Sequence, residues 1–347
     1  MALVAILGDT HFGASKSSDL LHDYFEKFYA FFFDTLQKRK IENLIQEGDL
    51  FDYRKEVHFN TLHRSKQYFF NHIAENNIEM FCIAGNHDTV HKNTNRINSV
   101  RLLTSLDTGV VDMLPQTILL GSKTFDLYPW INSENIDASL KFCQESKSDY
   151  AIGHFEFADF PMHPGTMAEA GMNHSLFANY EQVFSGHYHT ISQKDNILYT
   201  GTPCELNWSD WNDPKGFWIL DTETGSKEFV QNPFTLFEKI SYVEGMSYDF
   251  DHVKEKYVKI IVVTKQDQKK FDAFVDKVNR NNPHDVKIVE SSILDAVATA
   301  VGVTDLVSTQ QMISTVIDNM DIDLDKIKLK SHVLELYAEA MAINNSM

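Results

Sequence analysis

Five short polar motifs, each at the end of an apolar run, contain the side chains that proteins use to bind divalent metal ions. They are Asp9-Thr10-His11, Gly48-Asp49-Leu50-Phe51-Asp52, Gly85-Asn86-His87-Asp88, Gly153-His154 and Gly186-His187-Tyr188-His189. Carboxylate and amide oxygens combined with imidazole nitrogens suit borderline ions such as manganese, iron or zinc, whereas magnesium prefers oxygen ligands alone. The residue types therefore predict a transition-metal centre.

The spacing within the motifs allows the ligands to act from one edge of a fold. In Asp9-x-His11 and His187-x-His189 the two ligands are alternate residues of an extended backbone, so they point to the same side. Glycine directly precedes Asp49, Asn86, His154 and His187, where it permits a sharp turn and a close backbone approach. Seven such ligands suffice for two ions that share one carboxylate. A pair of this kind activates water and neutralises charge that builds on a phosphoryl group.

The segments that carry the motifs alternate between predicted strands and predicted helices. The first strands are Ala2–Leu7, Leu44–Ile45 and Glu79–Ile83, and the helices are Leu21–Leu36 and His58–Asn76. Later strands follow one another more closely and predict a second sheet, at Thr117–Leu120, Thr124–Tyr128, Tyr150–Ile152 and Asn196–Tyr199. This alternation is typical of an α/β fold, in which catalytic side chains collect at strand ends.

The sequence predicts three domains, at residues 1–234, 235–295 and 296–347. The first domain carries the motifs and ends shortly after a predicted hairpin at Gly216–Val230. The second is a small βαβ unit, with strands at Tyr257–Val263 and Val286–Val289 on either side of a helix. The third consists of two amphipathic helices, at Leu306–Ile317 and Ile327–Met341.

The composition is that of an ordinary globular protein of 347 residues, 43% hydrophobic and 23% charged, which excludes a fully disordered chain. The net charge of −18 disfavours anionic membranes, so a phosphate-bearing substrate would need a local source of positive charge. The three cysteines follow no zinc or redox spacing, and no signal peptide or membrane-spanning run is evident. We therefore expect a cytoplasmic protein with free thiols and no membrane partner.

In the order of its motifs, from Asp9 to His189, the chain resembles the calcineurin-like metallophosphoesterases. The motifs of that family run D-x-H, G-D-x-x-D, G-N-H-D/E, G-H and G-H-x-H. The resemblance implies an α/β fold built as a two-sheet β-sandwich flanked by helices, here with a small α+β capping domain and C-terminal helices. It also implies two divalent metal ions, with Mn²⁺ as the preferred ion and Mg²⁺ as the alternative.

The resemblance also implies a role for each motif residue. The implied ligands of one metal ion are Asp9, His11 and His189, and those of the other are Asn86, His154 and His187. Asp49 would then bridge the two ions. His87 would be the catalytic histidine that protonates the leaving oxygen, with Asp88 placed to orient it.

Asp52 is where the chain departs from part of the family. Eukaryotic and archaeal nucleases carry a histidine here, which is believed to contact the substrate phosphate. The carboxylate of Asp52 is instead expected to orient a metal ligand or a neighbouring loop, as outer-shell carboxylates do. Asp52 is therefore included with His87 and Asp88 among the candidate catalytic residues.

Within the family, the chain is most similar to the SbcD-type DNA repair nucleases, including the recombination endonuclease subunits of T-even-like phages. The features that carry this are the Gly-Asn-His-Asp form of the third motif, the Gly201-Thr202-Pro203 segment after the last histidines, and the βαβ module with trailing helices. The resemblance implies DNA as substrate, a DNA-facing cap, a homodimer contact near Leu62–Ile73, and docking of the C-terminal helices on an SMC-like, SbcC-type ATPase. Packing of these amphipathic helices against their own cap is the alternative. A phage-encoded chain would act in the host cytoplasm.

Basic residues after the second and third motifs predict a basic rim beside the metals, at Arg54, Lys55, Arg64, Lys66, Lys92, Arg96 and Arg101. A solvated helix face explains them equally well. With few phosphate contacts of its own, the isolated chain is expected to bind DNA weakly and to depend on a partner. Histidines outside the motifs, among them His163, are interpreted as surface or packing residues.

We therefore predict a two-metal DNA phosphodiesterase that acts as an exonuclease on duplex ends and as an endonuclease on single strands, in recombination or double-strand-break repair. One alternative is a phosphatase or phosphodiesterase for small molecules or proteins, which would use the same metals. A second alternative is a non-catalytic adaptor that regulates an ATPase. The C-terminal extension argues against the first, and the complete ligand set with His87 argues against the second.

Overall fold

The computed structural model describes residues 3–104, 109–163 and 166–290, together with Ile317 and Lys326. The chain divides into two compact units, Met1–Phe234 and Thr235–Met347. The helices predicted at Leu306–Ile317 and Ile327–Met341 fall outside the continuous described ranges, so they stay predictions.

The strands of the described residues are, in chain order, β1 (Leu3–Leu7), β2 (Asn43–Gln46), β3 (Glu79–Ile83), β4 (Thr89–His91), β5 (Thr94–Asn98), β6 (Val110–Val111), β7 (Gln116–Leu120), β8 (Lys123–Tyr128), β9 (Tyr150–Gly153), β10 (Pro161–His163), β11 (Thr166–Met167), β12 (Gln182–Ser185), β13 (Ser192–Lys194), β14 (Ile197–Tyr199), β15 (Gly216–Asp221), β16 (Lys227–Gln231), β17 (Phe237–Val243), β18 (Tyr257–Thr264) and β19 (Asp285–Glu290). The α-helices are α1 (Ala14–Ser17), α2 (Asp19–Arg39), α3 (Phe59–Ser65), α4 (Asn71–Glu75), α5 (Ser99–Leu103), α6 (Ile136–Glu145) and α7 (Gln268–Arg280). A π-helical turn at Lys66–Phe70 joins α3 to α4, and short 3₁₀ turns lie at His174–Phe177, Trp208–Asp210 and Asp251–Val253.

The first sheet of the N-terminal unit has the strand order β16-β15-β1-β2-β3-β6. Strands β1, β2, β3 and β6 run parallel, whereas β15 is antiparallel to β1 and β16 is antiparallel to β15. The register places Leu44 between Ala5 and Met80. Because parallel strands end at the same edge of a sheet, the residues that follow β1, β2 and β3 are neighbours.

The second sheet has the order β13-β14-β12-β9-β8-β7. Its four central strands, β14, β12, β9 and β8, are parallel, and an antiparallel strand lies at each edge. Ile152 pairs with Phe184 on one side and with Leu127 on the other. The segments that follow β9 and β12 therefore also emerge side by side.

The two sheets pack face to face around one hydrophobic core. Alternate residues of the strands point into this core. They are Val4, Ile6, Ile45, Ile83 and Val111 from the first sheet and Phe125, Leu127, Ile152, Phe184 and Leu198 from the second. Removing such side chains from water contributes roughly 1.5–3 kcal/mol each to folding. The two-sheet sandwich predicted from the sequence is confirmed.

Helices cover the outer faces of the sandwich. On α2, the rings of Phe28 and Phe32 lie 6.4 and 4.7 Å from the ring of Phe217 in β15. On α6, the ring of Phe142 lies 5.8 Å from that of Tyr128 in β8. The apolar stripe predicted for Leu21–Leu36 thus packs against the first sheet. The helix predicted for His58–Asn76 is present, with the π-helical turn within it.

The second unit contains a parallel sheet of order β17-β18-β19. Helix α7 connects β18 to β19, and the carboxylate of Asp267 caps its start by accepting hydrogen bonds from the backbone N–H groups of Lys269 and Lys270. Phe271, Phe274 and Val278 of α7 are buried in a core with residues of the sheet. The predicted βαβ elements are present, and β17 is an additional strand. A DNA-facing role for this unit stays a prediction.

Each helix of the described residues is too short or too polar to cross a bilayer.

Candidate metal centre

The five motifs meet where the parallel strands of both sheets end. Asp9 follows β1, Asp49 follows β2 and Asn86 follows β3 in the first sheet, whereas His154 follows β9 and His187 follows β12 in the second. Ligand atoms of these residues fall into groups whose members lie within 4.8 Å of one another. Residues from both halves of the sandwich thereby converge on one place.

The first group contains Asp9, His11 and His189. The Nε2 atom of His189 lies 4.0 Å from Oδ2 of Asp9, and the rings of His11 and His189 are 5.1 Å apart. The Asp9 carboxylate is also fixed by the backbone N–H of His187, which donates to Oδ2 at 2.9 Å. The Nε2 atom of His11 and the Nδ1 atom of His189 are buried without a hydrogen-bond partner.

The second group contains Asp49, His154 and His187, with the amide of Asn86 among them. The Oδ1 atom of Asn86 lies 2.8 Å from Nε2 of His154 and 2.9 Å from Nδ1 of His187. The Nε2 atom of His154 also lies 3.3 Å from Oδ2 of Asp49. Four potential ligand atoms therefore face one small volume.

Asp49 lies between the two groups. Its Oδ2 atom is 3.8 Å from Nε2 of His11 and 3.3 Å from Nε2 of His154, while its Oδ1 accepts a hydrogen bond of 2.7 Å from the backbone N–H of His87. One carboxylate thus contacts both groups and the loop that carries His87.

The donor set fits cations. The Nδ1 atom of His154 lies 3.0 Å from the carbonyl oxygen of Glu47 and donates to it, which makes Nε2 the lone-pair atom of the neutral ring. That lone pair faces the oxygen atoms of Asn86 and Asp49, which also carry lone pairs. These atoms repel one another unless a cation lies between them, so the arrangement favours a bound cation. Divalent metal ions, which the fold family implies, meet this requirement.

The pKa values of Asp9 and His154 in the chain without metal also indicate that the centre favours positive charge. Burial raises the pKa of the Asp9 carboxyl to about 7. Burial disfavours the charged form of His154, but the nearby carboxylates of Asp49 and Asp9 prevail and raise the pKa of His154 to about 10. Without a bound metal ion, protons on these groups would supply the positive charge that the centre favours.

Asp52 contacts both of its histidine neighbours. Its Oδ1 atom lies 3.0 Å from Nδ1 of His11, without the alignment of a full hydrogen bond, and its backbone carbonyl lies 2.6 Å from Nδ1 of His87. The carboxylate thus lies against a residue of the first group, and the orienting role expected for it stays a prediction. Because Nδ1 of His87 donates to the carbonyl, Nε2 of His87 is the atom left to exchange a proton with a substrate.

The hydrogen bonds described for the Asp88 carboxylate join it to other groups than the ring of His87, so the predicted orienting role of Asp88 stays a prediction. Its fully buried carboxylate accepts hydrogen bonds of 2.9–3.2 Å from the backbone N–H groups of Gly85, Leu50 and Phe51, and one of 3.0 Å from Ser99 Oγ. A carboxylate satisfied by these donors has no need of an imidazole. Asp88 joins the loops after β2 and β3, and so holds the segments that carry Asp49 and His87.

Two residues near the centre are not among the site residues predicted from the sequence: Glu47, and His163, which was interpreted as a surface or packing residue. The ring of His163 lies 5.4 Å from that of His189, and both fall with Asp210 in a further group of potential ligands. Glu47 is completely buried beside the centre, where its carboxylate accepts a hydrogen bond from Thr200 Oγ1, and burial raises its pKa to about 8. Neither residue belongs to a motif, so no local signal marked them.

Part of the predicted basic rim is neutralised by acidic partners. The ion pairs are Arg64 with Asp23 and Glu26, Arg96 with Glu134, and Arg101 with Asp112. These arginines therefore carry less uncompensated charge than the sequence alone indicates.

Comparisons with known proteins identify the family of the chain. The family model described as calcineurin-like phosphoesterase matches residues 2–191. Exonuclease subunit 1 of Enterobacteria phage T4 is 30% identical over 340 residues, which cover 96% of this chain and 98% of that protein. Among solved structures, an archaeal phosphodiesterase (14% identity, 66% of this chain and 99% of that chain, TM-score 0.34) and a dimetal phosphatase from Danio rerio (11% identity, 63% and 91%, TM-score 0.38) also match. The chain belongs to the calcineurin-like phosphoesterase family.

Proposed function

We propose that the chain is a two-metal DNA phosphodiesterase that degrades duplex ends as an exonuclease and cuts single strands as an endonuclease, in recombination and double-strand-break repair. The observation that carries the proposal is the position of Asp49, whose carboxylate contacts both ligand groups at once. Family membership supports phosphoester hydrolysis, and the name of the phage T4 relative, an exonuclease subunit, favours DNA as the substrate.

The proposed ligands of one ion are Asp9, His11 and His189, and those of the other are Asn86, His154 and His187, with Asp49 shared. Mn²⁺ is the preferred ion because the ligands mix imidazole nitrogen with oxygen, and Mg²⁺ is the alternative. Divalent ions bound there supply positive charge for the phosphate and lower the pKa of water.

The residues of the chain itself would position and protonate the substrate. His87 is held at two points, through its backbone N–H by Asp49 and through Nδ1 by the carbonyl of Asp52. Its Nε2 atom would deliver a proton to the leaving oxygen. Asp52 would keep His11 in place, and Asp88 would act indirectly by holding the loops.

A partner subunit follows from the same relative, since the name "subunit 1" describes one component of a larger enzyme. We propose an SMC-like ATPase of the SbcC type, a homodimer of the nuclease subunit, and action in the cytoplasm of an infected host. The acidic pairing of Arg64, Arg96 and Arg101 supports weak DNA binding by the isolated chain. The capping role of residues 235–295 and ATPase docking by residues 296–347 are parts of this proposal.

The test is cleavage of labelled duplex and single-stranded DNA by the purified chain in Mn²⁺, with and without chelator. We expect chelator-sensitive cleavage that Asp49→Ala and His87→Ala abolish, each variant being checked for an intact fold. His174→Ala is the matched control, because His174 pairs with Asp195 away from both ligand groups. Intact DNA in every condition would contradict the proposal for the isolated chain, and the same assay with the ATPase added then decides whether the subunit is a nuclease at all.

The alternative in the same family is a phosphoesterase for small molecules or proteins. Hydrolysis of a small phosphodiester through Asp49 and His87, with DNA left intact both alone and with the ATPase, would favour it. An adaptor without catalysis would hydrolyse neither substrate but would alter the ATPase rate of its partner.

A further inference from the structure

We propose that Trp130 and the cavity beside it bind a nucleobase of the substrate strand next to the metal centre. This inference rests on the proposed function, because it specifies how a DNA strand would be held there. It adds a residue and a contact that none of the five motifs contains.

The cavity has a volume of about 190 Å³ and lies in the N-terminal unit. Its walls include Trp130, Ile131, Ile136, His154, Glu156 and Met172. An engineered apolar cavity of about 150 Å³ accepts one molecule of benzene. The cavity beside Trp130 therefore has room for a single aromatic ring of the size of a pyrimidine.

The cavity adjoins the proposed metal ligands. His154 forms part of its wall, and the ring of Trp130 lies 5.9 Å from the ring of His154 and 5.4 Å from that of His187. A ring bound against Trp130 would consequently be a close neighbour of a phosphate at the centre. The base attached to a nucleotide next to the scissile phosphate is such a ring.

The backbone of Trp130 is fixed before any ligand arrives. Its N–H donates to the carbonyl of Ala84 at 2.8 Å, and its carbonyl accepts from the side-chain amides of Asn95 at 2.8 Å and Asn135 at 3.1 Å. Ala84 directly precedes the motif of Asn86 and His87. The same backbone segment therefore holds Trp130, the proposed stacking platform, and carries residues of the metal centre. A preorganised platform loses little entropy when a base stacks on it.

Another part of the cavity lining is held by a close backbone approach. Gly171 has a φ of +147°, and a Cβ atom there would come within 2.6 Å of both the carbonyl oxygen of Glu156 and the nitrogen of Ala158. The carbonyl of Glu156 also accepts a hydrogen bond of 2.8 Å from the N–H of Met172. Backbone contacts therefore fix the segments that carry Glu156 and Met172.

The lining selects a base over a phosphate. The side chains named above are apolar or aromatic except for two, the imidazole of His154 and the carboxylate of the exposed residue Glu156. A carboxylate repels phosphate but accepts hydrogen bonds from the exocyclic amino group of a base, as acidic side chains do with cytosine. The chemistry favours a neutral planar ring with hydrogen-bond donors.

The test combines variants of Trp130 with DNA strands that each lack one base. Single-turnover cleavage in Mn²⁺ is measured on oligonucleotides that carry one abasic tetrahydrofuran at successive positions around the cut. For the native chain, one flanking position should show a loss of about 5- to 150-fold, the effect of one base–aromatic stacking contact. Trp130→Ala should lose a similar factor on intact DNA and show no further loss at that position, and Trp130→Phe should recover part of it.

Two controls separate a base contact from damage to the fold. Leu119→Ala removes an exposed apolar side chain of β7 and should leave the abasic profile unchanged. Metal content, measured by elemental analysis, should be the same in Trp130→Ala and the native chain. Equal slowing of intact and abasic strands by Trp130→Ala would overturn the base site while leaving the nuclease assignment intact.

A binding measurement decides the case in which no cleavage occurs. Strands with a single 2-aminopurine report stacking through quenching of their fluorescence, without any turnover. Quenching at one position that Trp130→Ala abolishes would support the base site even if DNA hydrolysis, and with it the proposed function, failed. Quenching that is absent, or that is the same in both chains, would overturn the base site.

Discussion

The carboxylate of Asp52 lies 3.0 Å from Nδ1 of His11, on the side of the ring opposite the Nε2 atom that faces Asp49. In the proposed metal centre, an outer carboxylate in this position would orient His11 toward the ion and raise its basicity. Although burial disfavours the charged ring, Asp52 together with Asp49 and Asp9 raises the pKa of His11 in the metal-free chain to about 9.

Replacement of Asp52 by alanine should weaken Mn²⁺ binding by about 10- to 100-fold, the usual effect of removing an outer-shell partner. The backbone carbonyl that holds His87 remains in this variant, so the loss would act through His11. Titration of the metal-free chain with Mn²⁺ measures it, with Asp195→Ala as a surface control. If the effect passes through His11, the Asp52→Ala/His11→Ala double variant will bind Mn²⁺ no more weakly than His11→Ala alone.

Asp88 provides a test of stability that is separate from catalysis. Asp88→Asn places an amide N–H₂ group among the backbone N–H donors of Gly85, Leu50 and Phe51, and leaves part of them unsatisfied. We expect a loss of about 2–4 kcal/mol in the free energy of unfolding, measured by urea denaturation without metal. His87→Ala should leave that free energy nearly unchanged while abolishing activity. A stable but inactive Asp88→Asn chain would instead favour a catalytic role.

The motifs could be predicted from the sequence because each one follows an apolar strand, and parallel strands bring their ends together. Asp9, Asp49 and His154 were found in this way. The contacts of His163 with His189, and of Trp130 with His187, join segments that are remote in sequence. His163 and Trp130 themselves stand in no recognisable sequence motif. The partners of Asp88 were missed for a related reason: they are backbone N–H groups, which every residue type except proline supplies.

The ion pair between Lys123 and Asp149 should make part of the free energy of unfolding depend on pH in the acidic range. The carboxylate of Asp149 lies 2.7 Å from the ammonium group and accepts hydrogen bonds from Thr124. Although burial opposes ionisation, these contacts lower the pKa of Asp149 to about 2. The folded value lies below the unfolded value of about 3.9, so the stabilisation is complete above that pH and disappears as the pH falls through 2.

The contribution should be about 1 kcal/mol or less, because the pair is partly exposed to solvent. The difference in free energy of unfolding between the native chain and Asp149→Asn, measured from pH 6 to pH 2, should shrink as the pH falls below about 4. Lys123→Met should reduce that pH-dependent difference. A difference that stays constant over this range would show that Asp149 does not titrate in this way.

Metal binding should increase the effect of Asp49 on stability. Burial opposes ionisation of Asp49 in the metal-free chain, but the imidazoles of His154 and His11 outweigh it and hold the pKa of Asp49 well below its usual range. Asp49→Asn removes these attractions, so in chelator the variant should melt below the native chain. At Mn²⁺ concentrations 100 times the Kd, the native chain should gain about 2.7 kcal/mol, or roughly 5–10 °C in Tm, and the variant much less. The gap between the two melting temperatures should therefore widen from chelator to Mn²⁺, whereas an equal rise in both chains would place the bound metal away from Asp49.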